Sequence, residues 1–506
     1  MRWPALVVSF VLAGPLLTDG TLGAGRANGA DAEAPPSRSV EARQRWAVLR
    51  MAGKRVGYAR TRRYRDAAAP VVHTDERIHL RLRRFGQTLR LTLTTHTQED
   101  LQGDLRAFRY EQANPPARPT VVEGRIEEGA LWIVWDDAGH RSERRIAWQA
   151  GVKTGGFVEA DLLRRPPTTG MPRRWRQFAP ELQKIVTITA NWRGERTVRT
   201  LEGRSVSAHK YELRNSALPE VPTIIYATTA GRVVKTETVL AGMTLEMFEV
   251  DERTAVEEIG EEEFDFAAAT TIRVDRVIPQ PGKRRSVTYR LSLPDEDPAR
   301  LIPADPRQRV QRIDATTIRL EVQTDRLPEH PRIGRTGEEF LRPNRFLQSD
   351  DPRVRRLATQ AAGTATDPAR VARQMAQYVY HAMRKKTFSI ATATAAETAA
   401  RLEGDCTEHA VLLAAMLRCR RIPSRVAVGL VYVPALSAFA GHMWTEAYLD
   451  GRWYGLDATR EDTVVGPLHI RVASSSLDDA DGSPLLAFAS LTRLLGRLKI
   501  NVVSWR

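Results

Sequence analysis

The chain has 506 residues, and 76 lysines and arginines against 61 aspartates and glutamates give a formal net charge of +15. This length predicts about three or four folding units. Two cysteines in such a chain exclude a disulfide scaffold. Hydrophobic and charged contents of 42% and 27% are typical of globular proteins, and they disfavour a disordered chain and a polytopic membrane protein.

The amino terminus has the pattern of a targeting segment. Met1 and Arg2 precede an apolar run over residues 3–17, which is broken by prolines and a glycine. Since a membrane span needs roughly 18 or more apolar residues, residues 1–34 are predicted to be a secretory signal peptide, with an uncleaved anchor as the alternative. We therefore expect an exported bacterial protein, periplasmic or extracellular, whose mature chain has no membrane span.

Period-two alternation dominates residues 44–250 and predicts an antiparallel β domain, open or partly rolled. Residues 77–83 and 89–93 alternate leucine or isoleucine with polar side chains around a turn at residues 85–87. They predict a hairpin with one solvated, arginine-rich face. Further strands and one short helix are predicted at Leu131–Trp135, Ile185–Ala190, Ser205–Leu213, Thr223–Ala227, Val233–Thr238 and Thr244–Val250, and near Phe157–Arg164.

The rest of the chain predicts a smaller β domain at residues 266–335 and an α+β domain at residues 349–506. An acidic connector, Asp251–Asp265, precedes them. Asp-Pro pairs predict helix starts at residues 351 and 367. The α+β domain is predicted to contain a helix from about Asp405 to before Pro423, strands at Arg425–Val433, His442–Leu449 and Arg452–Leu456, and a final helix at Leu485–Leu498.

The two cysteines, Cys406 and Cys419, lie 13 residues apart on one predicted helix. That spacing separates them by roughly 20 Å, beyond the ~7 Å limit for a disulfide, so both are expected to be free thiols. Cys419 is predicted to be a buried packing residue. Cys406 lies in the first helical turn, where backbone N–H groups stabilise a thiolate and can also bind an oxyanion.

A base and an orienting group follow from strand register. Asp450-Gly451 is a strong two-residue hairpin turn, so residue 449 should pair with 452 and residue 444 with 457. His442 then lies on the same sheet face as Asp457. A Cys406/His442/Asp457 arrangement follows if the helix packs against that face.

Two other roles were weighed for this segment. His409 is a rival base, although it points along the helix of Cys406. A metal site from Cys406, His409, His442 and Asp457 lacks the short paired spacing that is typical of zinc. The sequence shows no phosphate-binding glycine loop and no CxxC or HExxH metal spacing, so neither a cofactor nor a metal is predicted.

Residues 370–460 closely resemble the transglutaminase-like superfamily of papain-like thiol enzymes. The matching motifs are Gly404-Asp405-Cys406 with Ala410, Ile422-Pro423-Ser424-Arg425, His442-Met443-Trp444-Thr445-Glu446, and Trp453 with Asp457 and Thr459. The resemblance implies that Cys406 is the nucleophile, that His442 is general base and then acid, and that Asp457 orients His442. The family's upstream oxyanion group is not identifiable in residues 386–400.

Together these features predict an α+β multidomain cysteine enzyme that attacks a peptide or carboxamide carbonyl of a protein or peptide substrate. The acyl-thioester on Cys406 would pass to water or to an amine, with hydrolysis (peptidase or amidase) favoured over transamidation. The alternative is a non-catalytic envelope-binding or scaffold protein that uses the β domains. The arginine-rich face suits an anionic envelope component, and a nucleic-acid partner is not expected for an exported chain.

Overall fold

The computed structural model describes residues 39–84, 87–115, 119–137, 140–240, 242–258, 264–383, 393–478 and 489–506. The predicted signal peptide, residues 1–34, lies outside these ranges. The predicted α+β class is confirmed, with more strand than helix and most of the longer helices toward the carboxyl end. Within the described ranges, no helix is long and apolar enough to cross a membrane.

A fifteen-stranded sheet occupies the amino-terminal half. Its strands are β1 (Ser39–Met51), β2 (Lys54–Asp66), β3 (Val71–Arg84), β4 (Gln87–Asp100), β5 (Leu105–Ala113), β6 (Thr120–Glu127), β7 (Ala130–Asp137), β8 (His140–Ala147), β9 (Val152–Lys153), β10 (Arg173–Ala179), β11 (Lys184–Arg199), β12 (Ser205–Asn215), β13 (Leu218–Ala227), β14 (Val233–Leu240) and β15 (Met243–Val250). The order is β8 down to β1, then β15 down to β9, so two meanders join where β1 pairs with β15. Helix α1 (Gly155–Arg164) packs against β10.

The alternation pattern explains how this sheet builds a core. The predicted hairpin is confirmed as β3 and β4, in which Leu82 pairs with Leu89. Its leucines and Ile78 point inward and are mostly buried, whereas the arginines between them are half-buried or exposed. The sheet also curls. The evidence is that the rings of Phe108 on β5 and Phe178 on β10, which are far apart in the strand order, lie 4.9 Å apart between centroids. Two distant parts of the sheet therefore share one core.

A four-stranded sheet follows, in the order β18-β19-β17-β24. Its strands are β17 (Ser286–Ser292), β18 (Gln308–Arg312), β19 (Thr317–Gln323) and β24 (Lys499–Trp505), and the short helices α2 (Glu252–Val256) and α3 (Phe266–Thr270) precede it. The last strand thus returns from the carboxyl terminus to pair with β17. This sheet is therefore completed by a segment that the sequence placed in the following domain.

The third sheet has the order β16-β21-β20-β23, with β22 on the edge of β21. Its strands are β16 (Ile272–Arg273), β20 (Ser424–Val433), β21 (Ala438–Leu449), β22 (Arg452–Leu456) and β23 (His469–Ser475), and the helices beside it are α4 (Pro352–Ala362), α5 (Pro368–Ala382), α6 (Ala395–Arg401) and α7 (Cys406–Cys419). The side chains of Asp351 and Asp367 cap α4 and α5 as predicted. The predicted final helix is wrong where it is described, because residues 489–493 form a 3-10 helix and β24 follows soon after.

Candidate active site

Helix α7 begins at Cys406, and a capping box fixes this start. The Asp405 side chain accepts hydrogen bonds from the backbone N–H groups of Thr407 and Glu408, and the Glu408 carboxylate accepts one from the Asp405 N–H. Cys406 is 2% exposed at the positive end of the helix dipole. Because the cap already uses two first-turn N–H groups, the helix offers fewer of them to an oxyanion than the sequence suggested.

Two hydrogen bonds set the direction of α7 on the sheet. Thr445 Oγ1 donates to the Ala410 carbonyl at 2.9 Å, and Ser424 Oγ donates to the Ala414 carbonyl at 2.7 Å. Ser424 is the β20 partner of residue 447 on β21. The helix therefore runs in the same direction as β21, and its first turn lies at the end of β21 that carries His442.

The predicted hairpin register is confirmed. Leu449 pairs with Arg452, and the pairing continues to Thr445 opposite Leu456. The ladder ends there, one step short of the predicted 444–457 pair, and beyond its end Nε2 of His442 lies 2.9 Å from Oδ2 of Asp457. Both side chains are fully buried, so their hydrogen bond is shielded from solvent.

The second ring nitrogen of His442 is left for another role. An ionised carboxylate only accepts hydrogen bonds, so Nε2 carries the proton in the neutral ring, and Nδ1 holds the lone pair. Across the described ranges this buried Nδ1 has no hydrogen-bond partner. Nδ1 is therefore the ring nitrogen that can accept a proton. Helix α7 is hydrogen-bonded to β21 through Thr445. The side chain of Thr445 points to the opposite face of the strand from that of His442.

Beside His442, one edge of β21 has no paired strand in the described part of the chain. On this edge β16 pairs only with residues 438 and 439, and β22 ends opposite Thr445. Asp457 follows β22 directly and turns into this gap. The imidazole is consequently held at a sheet edge near the start of α7.

Four donors surround the Asp457 carboxylate. Oδ2 accepts from His442 and, at 3.0 Å, from Nε2 of His469, while Oδ1 accepts from the Thr459 N–H (3.0 Å) and hydroxyl (2.7 Å). Burial opposes ionisation of Asp457, but His442 and then His469 hold the pKa of this carboxyl well below its usual range. Sequence reasoning missed His469, which follows Asp457 by twelve residues without a motif.

Comparison with known families now bears on this region. Residues 355–458 match the family model described as the transglutaminase-like superfamily. The carboxyl-terminal region is a transglutaminase-like domain. The match spans α4 to Asp457, including Cys406 and His442, and confirms the resemblance seen in the motifs.

Similar solved structures come from three bacteria. A cysteine protease candidate from Cytophaga hutchinsonii is 17% identical over 44% of this chain and 87% of its own, with a TM-score of 0.28. A β-barrel-like protein of unknown function from Brucella abortus is 10% identical over 42% and 95%, with a TM-score of 0.31. A protease candidate from Parabacteroides distasonis is 10% identical over 72% and 68%, with a TM-score of 0.18. No curated protein matches the chain.

His409 has a structural position in the transglutaminase-like domain. Its Nδ1 lies 2.6 Å from the Asp405 carbonyl, so this N–H donates into the first turn of its own helix. A group of ligand-type atoms within 4.8 Å of one another comprises His442, Asp457 and His469, without Cys406 or His409. Because both imidazoles direct Nε2 at one carboxylate oxygen, hydrogen bonds account for this group.

Cys419, the second thiol of the transglutaminase-like domain, is expected to stay unmodified in the folded protein at pH 7. Burial raises its pKa to about 11, and its Sγ donates to the Ser349 carbonyl at 3.1 Å. Because the thiolate is the nucleophile, this thiol should react slowly. Peptide mass spectrometry after brief iodoacetamide treatment should find Cys419 modified only in denatured protein; rapid labelling in native protein would contradict this.

Proposed function

We propose that this protein is a cysteine hydrolase that attacks a peptide or carboxamide carbonyl through Cys406. The observation that carries the proposal is the buried hydrogen bond between His442 and Asp457, beside a helix that begins at a cysteine. The pair supplies a base with a fixed tautomer, and the helix start supplies a thiol near positive backbone dipoles.

In the first half-reaction, Nδ1 of His442 takes the thiol proton as Sγ of Cys406 bonds to the carbonyl carbon. The tetrahedral oxyanion collapses, the C–N bond breaks, and the leaving nitrogen takes the proton from Nδ1. An acyl-thioester on Cys406 remains.

In the second half-reaction, water attacks the thioester carbonyl and gives its proton to His442, which returns it to the departing sulfur. An amine in place of water would give transamidation. We favour hydrolysis because water is always present, whereas an amine acceptor needs its own pocket. Throughout the cycle Asp457 stays ionised and stabilises the imidazolium.

We further propose that the protein acts outside the cytoplasm, in the periplasm or beyond the cell. The signal-like pattern of residues 1–34 supports this. An arginine-rich face on β3 suits an anionic envelope component as a partner. Amino-terminal sequencing of protein recovered from periplasm and membranes would separate a cleaved signal from a retained anchor.

Thiol labelling tests the enzymatic proposal directly. We expect a thiol-directed electrophile to modify Cys406 between pH 5 and 8 faster than it modifies a free thiol, because His442 shares the thiol proton. His442→Ala should slow this labelling about 100-fold or more. Cys406→Ala should abolish it, and Cys419→Ala is the matched control that should leave it unchanged.

Equal labelling rates with and without His442 would favour the alternative, a non-catalytic envelope-binding protein. If labelling succeeds, a glutamine peptide incubated with and without a primary amine separates the two second half-reactions by product mass. Hydrolysis should dominate in both samples. Amine incorporation as the main product would assign the domain as a transamidating enzyme.

A further inference from the structure

His469 makes a contact that the proposed reaction does not yet explain. It opens β23, on the far side of β20 from His442, and its imidazole is 1% exposed. Its Nε2 lies 3.0 Å from Oδ2 of Asp457, the oxygen that also accepts from His442. The two imidazoles therefore share one carboxylate oxygen, from opposite neighbours of β20.

The proton on His469 is fixed by its surroundings. The Gly466 N–H donates to Nδ1 at 3.3 Å, so Nδ1 holds the lone pair and Nε2 carries the proton toward Asp457. Burial lowers the pKa of His469 to about 4, although the Asp457 carboxylate acts in the opposite direction. The ring is thus a neutral donor at physiological pH.

The backbone around His469 is held from the four-stranded sheet. Arg307, beside β18, donates from Nη1 to the carbonyls of His469 (2.6 Å) and Gly466 (3.2 Å). The neighbouring Gln308 side chain bonds both the N–H and the carbonyl of Arg471. These contacts hold the backbone of His469 and of Gly466, whose N–H sets the tautomer of the His469 imidazole.

We propose that His469 is a positioning residue that keeps Asp457 ionised and aimed at His442. This inference rests on the proposed function. With His469 in place, both lone pairs of Oδ2 are occupied, and Thr459 occupies Oδ1. The carboxylate then cannot rotate without breaking buried hydrogen bonds, each of which is costly to leave unmade.

The electrostatic surroundings of Asp457 agree with this role. The ionisable groups that act on the carboxylate are His442 on β21, His469 on β23 and Arg460 in the loop after β22. Of these, His442 must lose and gain a proton during the reaction. His469 stays neutral and can support the charge of Asp457 throughout.

Three substitutions separate donation from packing. His469→Leu removes the donor, His469→Gln places an amide N–H near the position of Nε2, and His469→Asn places its amide too far back to reach Asp457. Cys406 alkylation is measured from pH 4 to 8 in each. His79→Leu, on the outer face of β3, is the control for loss of a histidine elsewhere.

We expect His469→Leu and His469→Asn to slow alkylation about 10- to 100-fold. We also expect the acid limb of the pH profile to move to higher pH, because Asp457 then protonates more readily. His469→Gln should restore both. The proposal is overturned if His469→Leu and His469→Asn have the pH profile of the wild type. It is also overturned if His469→Gln folds but restores neither the alkylation rate nor the position of the acid limb. If His469→Leu does not fold, the Gln and Asn pair decides.

A spectroscopic readout keeps this inference separable from the proposed enzyme activity. Nitrogen-15 NMR of the histidine rings should show the Nε2–H tautomer of His442 in the wild type and His469→Gln, and a tautomer mixture in His469→Asn. If alkylation of wild-type protein ignores His442, the proposed function fails, but the tautomer comparison still tests positioning. A single, unchanged tautomer in every variant would overturn the positioning role.

Discussion

Asp457→Asn is expected to lower the rate of Cys406 acylation about 10³- to 10⁴-fold, although the two side chains have nearly the same shape. The reason is that all four neighbours of this carboxylate are donors: two imidazole N–H groups and the N–H and hydroxyl of Thr459. An amide offers an acceptor at one end only. No orientation of an asparagine side chain satisfies every neighbour.

If the amide nitrogen faces His442, the imidazole must present a lone pair at Nε2 and carry its proton on Nδ1. The proton then occupies the nitrogen that should accept from Cys406, and the base is lost. If the amide nitrogen instead faces Thr459, it meets a backbone N–H, and a buried donor is left unpaired at a cost of about 1 to 3 kcal/mol. Activity falls in the first case and stability in the second.

Alkylation rates and thermal unfolding of the same preparation distinguish these cases. Asp462→Asn is a matched control in the same loop, where the exposed carboxylate bonds to Arg460. It should change neither quantity by more than about twofold in rate or 0.5 kcal/mol. A variant at Asp457 that keeps both wild-type alkylation and wild-type stability would show that the carboxylate does not orient His442.

The hairpin half of this site was predictable because its rules are local. Asp450 and Gly451 both have positive φ, at 46° and 77°, as a type I′ turn requires. Two-residue periodicity then fixes which side chains share a face, so His442 and Asp457 could be paired by counting. The cap at Asp405 follows from equally local chemistry.

His469 was not predictable in this way because β23 reaches the site through long-range pairing. Its partner strand, β20, lies about forty residues earlier in the chain, and the loop from Asp457 to His469 has no fixed register. The pairing of the carboxyl-terminal strand β24 was unpredictable for the same reason. Ile500 and Val502 are buried by pairing of β24 with β17, more than two hundred residues away, and such pairing overrides local propensity.

Gly404→Ala is expected to destabilise the transglutaminase-like domain by about 2 to 4 kcal/mol. Gly404 has φ of +149°, a backbone conformation that L side chains rarely adopt. A methyl group there would lie 2.5 Å from Cβ and 2.6 Å from Cγ of Glu408. Relief requires a shift of Glu408, which is fully buried and in the first turn of α7.

That shift would break two interactions that define the start of the helix. Glu408 accepts from the Asp405 N–H at 2.9 Å and from the Ala393 N–H at 3.1 Å. Burial and the adjacent Asp405 carboxylate raise the pKa of Glu408 well above its usual range. Because the side chain is fully buried, a displaced Glu408 has no solvent to replace these two hydrogen bonds. Because Cys406 lies between Asp405 and Glu408, its sulfur should move with them.

Urea unfolding and Cys406 alkylation of Gly404→Ala should therefore both be impaired. Gly203→Ala separates backbone strain from collision: Gly203 has φ of +82°, yet an added methyl group meets nothing within 4 Å. We expect this control to lose only about 1 kcal/mol and to keep full alkylation. If both variants lose the same stability and the same alkylation rate, backbone strain from the positive φ explains the whole destabilisation. Contact with Glu408 would then not fix the position of Cys406.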